Sequence, residues 1–97
     1  MANLQQIYRK DPNIVSREIV GETILVPIRQ NVGDMESIYT LNETAALAWS
    51  LLDGDLTLEQ IKDLIVEEYD IDDQDAANDL LELIAQLDEI GAVKEQI

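Results

Sequence analysis

The chain is 97 residues long and carries 21 acidic against six basic residues, a formal net charge of −15, with neither histidine nor cysteine. That length supports one hydrophobic core, and a hydrophobic fraction of 46% marks a folded chain, because disorder requires high charge together with few apolar residues. The missing cysteines exclude disulfides and thiolate chemistry, and the missing histidines remove the commonest general base and metal ligand.

The charge is unevenly placed. Through Leu41 there are five acidic and four basic residues, and from Asn42 onward sixteen and two. A protein that grips phosphates needs a basic face to release counterions, so nucleic acid and anionic membrane surfaces are poor partners, and a basic peptide or protein is a better one. The start of the chain has no basic, apolar signal-like run, and no stretch of about 18 apolar residues occurs anywhere. A cytoplasmic protein is expected.

In chain order, residues 1–14 are polar, weakly patterned and broken at Asp11-Pro12, and read as an N-terminal arm, loose or docked, before a domain spanning 15–97. Val15–Ile19 and Thr23–Val26 alternate as strands, with Gly21 as their turn and Pro27 as the end of the second. Asn31, Gly33 and Asp34 belong to a loop before a third strand, Ser37–Leu41, whose alternation puts Ile38 and Thr40 on one face and Tyr39 and Leu41 on the other.

The remainder is helical. Asn42 caps a helix from Glu43 to about Leu52, with Gly54 beyond its end. Ala45, Ala46, Leu47, Ala48, Trp49, Leu51 and Leu52 make it apolar all round, which predicts a buried helix with Trp49 in the core. Thr57-Leu58-Glu59-Gln60 is a capping box opening a second helix, with Leu58, Ile61, Leu64, Ile65 and Tyr69 on one broad face. Asp72 or Asp73 caps a third helix that runs to Ile90 and stops at Gly91. Its apolar residues from Ala76 to Ile90 fill an arc of roughly 180°, wider than core packing alone requires.

No nucleotide-loop, hydrolase or zinc motif occurs. The acidic run Asp70–Asp75 lacks the glycine of a calcium loop and leads straight into a helix, whose positive end explains the acids. No catalysis, cofactor or metal is expected.

The step Tyr39-Thr40-Leu41-Asn42-Glu43-Thr44 from strand to helix, followed by Trp49, Leu51-Leu52-Asp53-Gly54 and Thr57-Leu58-Glu59-Gln60-Ile61, resembles the PqqD family of small accessory proteins named for pyrroloquinoline quinone biosynthesis. The resemblance covers about Val15 to Val93. It implies an α+β, winged-helix-like fold of three antiparallel strands followed by three helices. It also implies a recognition element that captures the leader of a ribosomal precursor peptide as an added strand and presents it to a modifying enzyme, typically a radical SAM protein. The candidate peptide contacts are Ser37, Ile38, Tyr39, Thr40 and Leu41 on the third strand and Leu80, Leu83, Ile84 and Leu87 on the third helix. The other reading is a small regulatory or structural subunit that forms a homodimer through its sheet edge.

Overall fold

The computed structural model describes residues 3–27 and 39–96. The candidates Ser37 and Ile38, and the loop residues Asn31, Gly33 and Asp34, lie outside the described residues.

The hairpin forms where the alternation puts it. Strands β2 (Ile14–Ile19) and β3 (Glu22–Pro27) pair antiparallel, Ser16 opposite Leu25 and Glu18 opposite Thr23. Val20 and Gly21 close the two-residue turn, both with positive φ (49° and 81°), as a mirror-image turn between twisted strands requires. Strand β4 (Tyr39–Leu41) adds to β3 with Leu25 opposite Tyr39 and Thr23 opposite Leu41, giving the sheet order β2-β3-β4. Leu25 and Leu41 are buried, Tyr39 is half-buried and Thr40 is exposed, so one face of β4 turns to the core, as the sequence alternation predicts.

Among the described residues three helices complete the α+β fold: α1 (Glu43–Ser50), α2 (Leu58–Tyr69) and α3 (Asp73–Glu89). Their starts follow the caps. Asn42 Oδ1 accepts the N–H of Ala45 at 2.8 Å. Thr57 Oγ1 accepts that of Gln60 at 3.2 Å while Gln60 Oε1 accepts that of Thr57 at 2.8 Å. The Asp72 carboxylate accepts those of Gln74 and Asp75. The acidic run thus divides between two helix ends, with Asp70 as the left-handed C-cap of α2 and Asp72 as the N-cap of α3. Among the described residues no group of side chains is arranged to hold a metal ion. Nor, among the described residues, is any helix long and apolar enough to cross a membrane.

A second antiparallel sheet, which the sequence reading did not anticipate, has β1 (Ile7–Lys10) at its centre between β5 (Asp53–Thr57) and β6 (Val93–Glu95). Residues 7–10 are therefore docked. Tyr8 is buried, and Lys10 Nζ donates to the carbonyls of Ser50 and Leu52 at the end of α1, 5.7 Å from the Trp49 ring centroid. That cation stands where α1 has no basic residue of its own in its last turn. Helix α1 also ends earlier than expected, with Leu51 as its C-cap, and Gly54 is a residue of β5 with φ 88°, beside the register shift between β1 and β5.

Trp49 is buried, 3% exposed, with Leu25, Leu52, Leu58, Ile61, Ile84 and Leu87 among the residues of the same core. The apolar face of α2 is narrower than expected, since Leu64 and Tyr69 are exposed. Lys62 takes a place at its margin, its stem buried and its ammonium 2.6 Å from Asp73 and 2.7 Å from Asp63, tying α2 to the first turn of α3. Those carboxylates hold the Lys62 pKa above the usual lysine range.

Candidate functional site

Between β4 and α3 runs a groove of about 260 Å³. Tyr39, Thr40 and Leu41 supply the strand side, and among the described residues β4 is an edge of its sheet, with β3 on one side only. An edge strand presents unpaired N–H and C=O groups along its free side. Ala76, Asp79, Leu80, Glu82, Leu83 and Gln86 supply the helix side, on successive turns of α3. Asn42, Thr44, Ala45 and Ala48 of the β4–α1 step, with Ile65 and Ile71, close the base. The base is small and aliphatic because Ala45 and Ala48 stand where larger side chains would fill the space.

Among the described residues the groove carries charge of one sign. Asp79 and Glu82 are exposed acids on its wall, and none of the described lysines or arginines lines it. The Tyr39 phenol donates to Oε1 of Gln86, linking the two walls. Burial, followed by the nearby Glu82 carboxylate, pushes the Tyr39 pKa above its ordinary value.

Of the residues singled out from sequence, Tyr39, Thr40, Leu41, Leu80 and Leu83 line the groove. Leu41 and Leu80 are almost wholly buried and form its floor, while Thr40 is exposed and Tyr39 and Leu83 are half-buried. Ile84 and Leu87 are 0% exposed and belong to the core, with no surface turned to the groove. Asp79, Glu82 and Gln86 were missed because an apolar arc was the criterion. Asp79 lies three residues after Ala76, Glu82 three after Asp79 and Gln86 four after Glu82, spacings that place them on the same side of the helix and could have revealed them.

A second, more open cleft of about 560 Å³ lies between the β2–β3 hairpin and α1. It sets β2, among the described residues the other edge strand of the sheet, beside Ala46, Leu47 and Trp49 of α1, but its strand residues Ser16, Arg17 and Glu18 are polar or charged, whereas Tyr39 and Leu41 bring apolar surface to the groove at β4.

A protein-family model described as Coenzyme PQQ synthesis protein D (PqqD) matches residues 22–93. No curated protein matches the chain. Among solved structures, the chain is similar to "TbiB1 in Complex with the TbiA(beta) Leader Peptide", with a TM-score of 0.71 and 23% identity, covering 89% of this chain and 94% of that one. It is also similar to "Lasso peptide synthetase B1 complexed with the leader peptide", with a TM-score of 0.72 and 24% identity, covering 90% of this chain and 96% of that one. At such identities the likeness is one of fold.

Proposed function

The chain belongs to the PqqD family, and from that membership we propose that it is a non-catalytic peptide-binding module that captures the leader segment of a ribosomal precursor peptide and hands it to a modifying enzyme. The observation that carries this reading is the meeting of a strand edge that no other described strand covers, Tyr39–Leu41, with the aliphatic flank of α3 at Leu80 and Leu83. A peptide added antiparallel or parallel to β4 gains main-chain hydrogen bonds from the edge, and its alternate side chains enter the groove. Both similar solved structures were determined with leader peptides bound, which supports the same use of this fold here. The absence of histidine and cysteine from the sequence favours a binding role over a chemical one. A radical SAM protein is the partner enzyme that this family membership favours.

The test is a titration of the full chain with synthetic leader segments of precursor peptides, unmodified and N-methylated at alternate residues. Each lost backbone hydrogen bond is worth about 0.5–1.5 kcal/mol, so methylation on the strand-pairing side should weaken binding by about ten- to a hundredfold in total. Equal affinity for both sets of peptides would refute strand addition. Light scattering in the same titration addresses the homodimer: a dimer paired through the β4 edges would dissociate as peptide binds, whereas a monomer gains only the peptide's mass.

A further inference from the structure

The two carboxylates on the groove wall have a character that the chain's general acidity does not explain. Most acids of α3, including Asp73, Asp75, Asp88 and Glu89, lie away from the groove, where water solvates them. Asp79 and Glu82 sit three residues apart on one side of the helix, about 5–6 Å from each other at Cβ, beside Leu80 of the floor and Leu83 of the wall. The chain's own described cations are placed elsewhere. Lys62 pairs with Asp63 and Asp73, Lys94 lies 3.6 Å from Asp11, Lys10 caps α1, and neither Arg9 nor Arg17 lines the groove. A peptide that fills the groove strips water from Asp79 and Glu82, and that desolvation opposes binding unless the peptide brings a compensating charge. Glu82 also acts on Tyr39 of the opposite wall, so its charge reaches across the groove toward the strand edge where the peptide backbone would lie.

We propose that the segment bound along β4 carries a lysine or arginine that seats against Asp79 and Glu82, and that these two carboxylates select cationic leader segments over neutral or acidic ones. The inference rests on the strand-addition reading and specifies the chemistry of its occupant. An extended peptide alternates its side chains between two faces. The segment therefore has small or aliphatic residues over Ala45, Leu80 and Leu83, and its cation at the rim, where a long stem crosses the aliphatic floor and the charged head meets the acids. An acidic residue at that position meets like charges and is rejected.

A random twelve-residue phage-displayed peptide library panned on the full chain tests this, with parallel selections on D79N/E82Q and on L83E, which puts a charge into the groove itself. All three proteins are first checked for a cooperative melt. The expected result is a family of peptides that need Leu83 and share a lysine or arginine at a constant spacing from an aliphatic residue. Replacing that cation with norleucine, which keeps the stem, should weaken binding to the native chain about two- to fivefold per carboxylate engaged at low salt, and less as salt is raised. D79N/E82Q should bind the two versions equally. Groove-dependent peptides without a shared cation, or a norleucine loss of the same size on D79N/E82Q, would overturn the selection by Asp79 and Glu82 and leave strand addition standing. If no selected peptide depends on Leu83, the groove is not the peptide site and both readings fall.

Discussion

Tyr39 and Gln86 join the two walls of the groove: the phenol of the edge strand donates its O–H to the side-chain carbonyl of a helix residue 47 positions later in the chain. Burial and the neighbouring Glu82 raise the Tyr39 pKa above about 10, and burial followed by Glu95 and Asp88 does the same for Tyr8 in the second sheet. A folded-state pKa above the unfolded value contributes stability that is fully present below about pH 10 and is lost as the pH rises through the folded values. The native chain is expected to lose urea resistance through that alkaline window more steeply than the double variant Y8F/Y39F. Parallel alkaline limbs would contradict it. Near neutral pH, Tyr39→Phe alone removes one hydrogen bond and should cost about 0.5–1.5 kcal/mol.

At the acid end the relevant group is Asp11, whose side chain is 2% exposed. Its carboxylate accepts the N–H of Asn13 at 2.7 Å and lies 3.6 Å from Lys94 Nζ. The backbone hydrogen bond from Asn13, with Lys94 behind it, outweighs burial and lowers the pKa. A lowered pKa contributes stability that is present above the unfolded value of about 3.9 and disappears as the pH falls through the folded value. Asp11→Asn should therefore flatten the acid limb of the stability profile, measured by urea melts from neutral pH downward. Asp11→Ala should cost about 1–3 kcal/mol near neutrality, because the Asn13 N–H loses its acceptor.

Trp49 is the largest side chain in the core, held from β1 by Lys10 across its ring. Trp49→Ala should cost about 3–5 kcal/mol, much of the stability of a small domain. The check is a urea melt of the variant, with native tryptophan emission expected to be that of a buried indole. A variant that melts like the native chain would contradict the packing of α1.

How much of this was legible in the sequence depended on how local the cause was. The hairpin, the capping box at Thr57, the cap at Asn42 and the stop at Gly91 are all decided within a few residues, and all are found where the residues put them. The second sheet was not legible. Strand β5 reads Asp-Gly-Asp-Leu-Thr, a poor strand former by composition, and β1 has only Ile7 and Tyr8 as apolar residues. Each becomes a strand because partners more than forty residues away complete its hydrogen bonds, and β6 likewise closes on β1 from the end of the chain. The groove was half legible for a similar reason. An apolar arc on α3 marks which residues avoid water, and it does not separate Ile84 and Leu87, which lie wholly in the core, from Leu83, which lines the groove.

The central position of β1 leads to a direct test by truncation. Removing residues 1–10 deletes the strand that β5 and β6 both pair with, uncovers the space under Tyr8, and takes Lys10 from the end of α1. A dispensable arm would leave the melt unchanged. The expected outcome is instead loss of the cooperative transition, or a fall in stability of several kcal/mol, since a buried aromatic alone is worth about 3–5 kcal/mol. Circular dichroism of the truncated chain through a thermal ramp measures it.

Leu83 and Ile84 are neighbours on α3, about 100° apart around the axis, and the groove reading assigns them opposite fates. Ile84 is 0% exposed in the core, so Ile84→Glu buries an unpaired charge at a cost of several kcal/mol and should unfold the domain. Leu83 is half-buried on the groove wall, where a glutamate can turn its carboxylate to water. Leu83→Glu should keep a cooperative melt within about 2 kcal/mol of the native chain. In a fluorescence-polarisation titration it should lose at least tenfold in affinity for a leader segment that the native chain binds, because the peptide's aliphatic side chain would then face a charge in place of a hydrocarbon wall. Leu81 and Leu83 are both half-buried and packed against the core, and of the two only Leu83 lines the groove, so Leu81→Glu serves as the control: the part of it that folds should keep the native affinity for the leader segment. If Leu83→Glu unfolds the chain as Ile84→Glu does, that flank of α3 is core and the helix wall of the groove is lost. If Leu83→Glu folds and binds the leader segment with native affinity, the peptide lies elsewhere, and the β4–α3 groove is not its site.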